Sequence, residues 1–274
     1  MILASVSAPI SAPISASVLA SVLASSSVSS LTVAAAVWIC LSFAIGSFAQ
    51  AVSGFGFALI AIPLSSLVVS PVNAVVIQTF AGALLSGYMA WQYRPDSQPH
   101  VLKVLLPGVV VGIAVGMLVS TRLNDRALRF AVGVTVIIAA LAIATGFRIR
   151  TRHTKAIFVI AGLVSGVLGA TTGTNGPPIV IAMAGQDTPP RAFRANLQVA
   201  FAIGNLVLVP AFIAAGRVTR VGIVGSIVAF VPTLVGRVFG ERVFAALDPK
   251  RFRSVVLGML FLAGTVALAK AVSG

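Results

Sequence analysis

Side chains that carry chemistry are scarce in this chain. Its 274 residues include one cysteine, two histidines and five acidic residues, and only 9% are charged. Cys40 alone makes neither a disulfide nor a thiolate metal site; in an apolar run it reads as a small buried hydrophobe. His100 and His153 sit in separate polar connections, away from other ligand-type residues. No zinc or serine-hydrolase constellation is therefore present, and neither cofactor nor metal is expected. Asp96, Asp125, Asp187, Glu241 and Asp248 all fall in connections or near helix ends. Carriers coupled to protons or sodium usually keep an acidic residue within the membrane, and none is obvious here.

What is abundant is apolar surface. The chain is 58% hydrophobic with a mean hydropathy of +1.09, whereas a soluble domain carries about 25% charged residues. The expected class is an all-α polytopic membrane protein. A net charge of +14 would suggest nucleic acid in a soluble chain. Here the basic residues lie mostly in short segments between apolar runs, as the positive-inside bias expects. The lipid bilayer is the expected partner, and nucleic acid is not.

Residues 1–30 form a Ser/Ala/Val/Pro low-complexity segment without the basic n-region of a signal peptide; a flexible tail is expected. Residues 31–70 form one long apolar run broken near Ser53–Gly56, followed by runs at about 71–91, 102–122 and 127–147. The basic link 148–155 separates these from a second series: 156–184 with a break at Gly173–Pro178, then about 192–214, 221–243 and 251–272. A spanning helix needs about 20 apolar residues. The 156–184 run is too long for one pass and too short for two, so two half-length pieces or a re-entrant hairpin fit it. The expected organisation is a first membrane repeat at 31–147 and a second at 156–274. Each holds one broken or re-entrant helix pair and three spanning helices.

Residue spacing supports a duplication. Gly112 to Arg129 aligns without gaps on Gly236 to Arg253, an offset of 124, and Gln78 pairs with Gln198 at 120. The GxxxG pairs Gly112/Gly116 and Gly236/Gly240 are expected to pack helices closely. Gly46 and Gly162 are read in the same way. Basic residues bear on how the halves are related. If each broken run returns to the side it came from, Arg94, Lys103, Arg148, Arg150, Arg152, Lys155, Arg191, Arg194, Arg242, Lys250, Arg251 and Arg253 share one face. Arg122, Arg126, Arg129, Arg217 and Arg220 then share the other, twelve against five. If each broken run crosses once, the split is eight to nine. The first arrangement obeys the positive-inside rule and makes the repeats inverted, with the loops at Asn124 and Asp248 on opposite faces.

Paired interruptions in two repeated halves point to a transporter's substrate site. A glycine-opened helix start presents unpaired N–H groups and a positive dipole end, which suits an anion. The candidate binding residues are Ser53, Gly54, Phe55 and Gly56 in the first break. In the second they are Thr171, Thr172, Gly173, Thr174, Asn175, Gly176 and Pro177, with Pro177 placed to begin a half-helix. Gln78 and Gln198 are expected to face this centre, and Arg194 is a candidate cation beside it. Arg237 is expected to snorkel to the interface, and Tyr88, Trp91 and Tyr93 at the end of one span read as an interfacial belt.

The glycine-rich first segment ending in proline, the G-x-N-G-P-P of the second half (Gly173 to Pro178) and the duplicated layout resemble the TauE/SafE sulfite-exporter family. The resemblance covers about residues 31–272. It implies export of sulfite or small organosulfonates across the bacterial inner membrane, with Ser53, Gly54, Gly56, Thr174, Asn175, Gly176 and Pro177 as motif residues. Many members carry a fuller glycine run where this chain has Phe55 and Phe57 flanking Gly56, bulk that reshapes the pocket beside the break. The resulting expectation is a secondary transporter that exports a small oxyanion by alternating access. The alternatives are a passive anion channel and, with no supporting constellation, an enzyme or scaffold. A homodimer stays open.

Overall fold

The computed structural model describes residues 31–147, 149, 153–186, 188–244, 265 and 269. The tail expected over 1–30, part of the basic link and the span expected over 251–272 (residues 265 and 269 apart) lie outside the described residues. The described residues are helical, with no strand among them. In chain order the helices are α1 Val33–Ser53, α2 Phe57–Ser65, α3 Pro71–Tyr93, α4 Pro99–Arg122, α5 Asp125–Thr145, α6 Thr154–Thr171, α7 Gly176–Gly185, α8 Pro190–Ala214 and α9 Arg220–Phe244. A 3₁₀ turn, Arg94–Asp96, follows α3.

The local sequence accounts for these boundaries. Thr32 and Ser70 accept from the first-turn N–H groups of α1 and α3. Pro71, Pro99 and Pro190 open α3, α4 and α8, where a missing N–H costs nothing. Gly54 ends α1 in the left-handed region (φ 82°) and Gly56 precedes α2 at φ 106°, conformations that disfavour residues bearing a Cβ. Among the described residues six helices, α1, α3, α4, α6, α8 and α9, are long and apolar enough to cross a membrane. Leu118, Leu206 and Ile227 are about 70% exposed, a lipid-facing surface for a chain that buries Gln50, Gln78 and Gln198 instead.

Both broken segments fold back on themselves. The Trp38 indole N–H donates to the Leu64 carbonyl at 2.8 Å, and Phe43 meets Phe57 edge-on at 5.5 Å between centroids. α2 thus returns antiparallel along α1 towards the side where α1 began. In the second segment the Ser165 hydroxyl donates to the Asn175 carbonyl at 2.6 Å. Thr154 at the start of α6 donates to Gln186 just past α7 at 3.0 Å. In each pair the two arms are unequal. α1 and α6 have 21 and 18 residues, about 32 and 27 Å at 1.5 Å per residue, while α2 and α7 are half-helices of 9 and 10 residues.

Small residues let the long helices approach each other. α4 lies parallel to α6, with Gly108, Gly112 and Gly116 against the backbone of Val159, Leu163 and Val167. α9 lies parallel to α1, with Gly236 and Gly240 against Ala44 and Phe48. α3 and α8 cross antiparallel between these pairs, joined where Asn205 donates to the Ser86 hydroxyl at 3.3 Å. Arg237, expected to snorkel, reaches the end of α3 beside Tyr88 of the expected aromatic belt. It is 8% exposed, donates to Glu241 at 2.9 Å and Gln92 at 3.3 Å, and lies over the Tyr88 ring at 4.6 Å. Its charge is paired with Glu241, whose side chain is 42% exposed, and its bond to Gln92 ties α9 to α3.

A Cβ on Gly112 would lie 2.1 Å from the Leu163 carbonyl oxygen, and one on Gly236 would lie 2.1 Å from that of Ala44. Backbone on both sides cannot yield cheaply. Gly112→Val and Gly236→Val are each expected to cost about 1–3 kcal/mol or more, read as lowered thermal stability of the purified protein. Gly87→Ala, with nothing within 4 Å of the added atom, is the matched control and should leave stability equal or slightly higher.

Candidate functional site

The two breaks, 120 residues apart in sequence, meet. A Cβ on Gly176 would lie 3.7 Å from that of Phe55, and one on Gly173 would strike Ile62 of α2 at 2.3 Å. Between them lies a cavity of about 30 Å³, lined by Gln50, Gly56, Phe57, Ala58 and Leu59 from the first break and Thr174, Asn175 and Gly176 from the second. Gln78, Gly82 and Ser86 of α3 and Phe201 and Asn205 of α8 complete it. These positions fall near the middle of two helices of 23 and 25 residues, so the cavity sits about halfway along both.

The half-helices aim their N-termini at this space, but with different donors. α2 begins Phe57–Ala58–Leu59, three first-turn N–H groups that no helical carbonyl reaches. α7 begins Gly176–Pro177–Pro178, so only Gly176 brings a free first-turn N–H. Asn175 is the N-cap residue of α7, yet its side chain makes no capping bond; it lines the cavity instead. No lining residue is charged. The site therefore offers backbone and amide donors at the positive ends of two helix dipoles, without a fixed cation.

Ends that do not face the cavity are satisfied by named side chains. Arg194 donates to the Ala51 carbonyl at 2.7 Å, closing the C-terminal end of α1 and lying against Gly54. Gln198, fully buried, donates to the Gly54 carbonyl at 3.0 Å and accepts from Gln50 Nε2 at 3.5 Å. The Thr171 and Thr172 hydroxyls donate to Val167 and Leu168 of their own helix, at 2.8 and 3.0 Å, and Thr172 also shares a hydrogen bond with Thr174 at 2.6 Å.

Of the sequence candidates, the fold brings Gly56, Gln78, Thr174, Asn175 and Gly176 to the cavity wall. Gly54, Phe55 and Gln198 lie immediately behind it. Thr171, Thr172, Gly173, Pro177 and Arg194 do not line it. The side chain of Ser53 lies outside the described residues. Sequence reasoning passed over Gln50, Gly82, Ser86 and Asn205. The spacing held a signal: Gly82 and Ser86 follow Gln78 by four and eight residues, and Asn205 follows Gln198 by seven, the repeat of one helix face. Gln50 stood inside the first glycine-rich segment as an amide in an apolar run.

Residues 37–267 match the family described as sulfite exporter TauE/SafE. The chain belongs to the TauE/SafE family. That makes it a multi-pass membrane protein of a family that transports sulfite or related anions, which agrees with the six apolar helices among the described residues. No curated protein and no solved structure matches the chain significantly.

Gln198→Met should leave the Gly54 carbonyl without its donor in a buried place. The expected cost is about 1–3 kcal/mol, measured as a lower unfolding temperature of the purified protein. An unchanged unfolding temperature would mean that another group satisfies that carbonyl.

Proposed function

We propose that this TauE/SafE member is a secondary carrier that exports a small oxyanion of the sulfite or organosulfonate class across the bacterial inner membrane by alternating access. The substrate is held in the cavity between the starts of α2 and α7. One observation carries this reading: two re-entrant half-helices direct their N-termini to one cavity halfway along α3 and α8. Unwound backbone of this kind is tolerated at membrane depth only where it is buried in protein or lines a cavity, and helix N-termini suit anions.

The carrier reading includes inverted repeats. Because α1 and α2 together return to the starting side, α3, α4 and α5 supply three crossings and α6 starts from the opposite face. The packing supports this: α1 pairs with α9 as α6 pairs with α4, partners that exchange when the two halves are exchanged. The twelve-to-five division of basic residues then puts the α3–α4 and α8-start connections in the cytoplasm. An inside-negative potential favours the exit of each negative charge by about 2.3 kcal/mol per 100 mV, so export needs no coupling ion. The first half, the second half and the link between them are on this reading one transport unit embedded in the surrounding lipid.

Topology is tested with single cysteines at Asn124 and Arg242 in a Cys40→Ala background, probed on intact cells with an impermeant thiol reagent. Only Asn124 should label; equal labelling of both would contradict inverted repeats. Asn175→Ala should lower anion affinity about ten- to hundredfold, the loss of roughly 1–3 kcal/mol of hydrogen bonding, while the unfolding temperature stays near wild type because the side chain caps nothing. Normal affinity in the folded variant would end that assignment. In proteoliposomes loaded with labelled sulfite, efflux should saturate, show counterflow and accelerate under an imposed inside-negative potential with pH and sodium equal on both sides. Efflux that ignores voltage and follows a pH gradient would contradict an uncoupled carrier; flux without saturation or counterflow would indicate a channel.

A further inference from the structure

One atom of a lining residue has no partner of its own. Gln50 is 4% exposed, lines the cavity, and its Oε1 is a buried oxygen with no hydrogen-bond partner. The orientation of this amide follows from its neighbours. The Gly54 carbonyl can only accept, so Gln198 must present its NH₂ there, at 3.0 Å. Gln198 Oε1 then faces Gln50 and requires a donor, which Gln50 Nε2 supplies at 3.5 Å. Turning Gln50 around would set two amide oxygens against each other. The oxygen left over is an acceptor, and a buried acceptor left unpaired is costly.

A dianion such as fully ionised sulfite has only acceptors and would repel this oxygen. The absence of Lys or Arg from the lining also argues against a second negative charge, since a desolvated charge needs a partner. With about 30 Å³ of space, room for roughly two waters, the smallest oxyanions are favoured over extended ones. Resting on the anion-carrier reading above, we infer that the site selects a monovalent oxyanion carrying its own hydrogen-bond donor, such as the monoprotonated form of a dibasic oxyacid. The donor sits on Gln50 Oε1. The oxyanion oxygens face the N–H groups of Phe57, Ala58 and Leu59 and the Asn175 amide.

Sulfamate and methanesulfonate test this directly. They are close in size and both monovalent, but only sulfamate has N–H donors. Binding of each to the purified full chain is measured by calorimetry, with sulfite as a third ligand. Sulfamate should bind about tenfold more tightly or better, the effect of leaving one buried acceptor unpaired. Gln50→Met, which keeps the length of the side chain and removes the acceptor, should erase that preference. Equal wild-type affinities for the two ligands would overturn the donor requirement and leave the anion site standing. A preference that survives Gln50→Met would overturn the role of Gln50. Stabilisation by sodium with no preference between the anions would assign the oxygen to a cation and also overturn the inference. Failure of all three ligands to bind would instead remove the anion-site reading on which it rests. Should Gln50→Met not fold, the wild-type affinity ratio still decides whether the site requires a donor.

Discussion

A helix that stops at membrane depth leaves backbone N–H and C=O groups that lipid cannot satisfy, and the arrangement of this molecule follows from how those groups are dealt with. At the end of α1 the open carbonyls of Ala51 and Gly54 are taken by Arg194 and Gln198, both from α8. At the start of α7 two prolines remove two donors outright, and Ser165 takes the Asn175 carbonyl. The start of α2 is treated differently. Its three first-turn N–H groups open onto the cavity. The structure closes the ends that face protein and leaves open one that faces the space between the two breaks.

That arrangement depends on close packing elsewhere. Glycines at 108, 112 and 116 bring α4 onto the backbone of α6, and glycines at 236 and 240 bring α9 onto α1. Each full-length arm of a re-entrant hairpin is thereby held by a helix of the other half, and the α3–α8 pair crosses between them. In lipid, where apolar contact alone does not drive helix association, such backbone proximity is the main source of cohesion. The hairpins are clamped at their long arms, and the half-helices carry the cavity between them.

Much of this was legible in the sequence because the signals were local. Gly54 and Gly56 mark a break since few other residues adopt their φ values, and Pro177 marks a helix start for its missing N–H. The spacing of Gly112/Gly116 and Gly236/Gly240 repeats across the halves. The cavity wall was less legible. Thr171, Thr172 and Gln78 are alike as polar residues in apolar runs, yet the two hydroxyls bond to carbonyls one turn back while Gln78 reaches the cavity. A short hydroxyl side chain can always return to its own helix, and a longer amide cannot do so as easily. Arg194 looked like a substrate cation because it follows the second break in sequence. Its partner is the end of α1, 143 residues earlier, a contact that exists only once α8 lies beside the first hairpin.

The central claim is that the start of α2, faced by the second break, is where the transported anion rests. An experimental structure of the purified protein with selenite, a sulfite analogue whose selenium gives an anomalous signal, addresses it most directly. The expected result is a single strong anomalous peak within hydrogen-bonding reach of the Phe57–Leu59 backbone and the Asn175 side chain. A well-ordered cavity with no selenium, and a peak instead beside Arg194 or among the basic residues of the connections, would contradict the account.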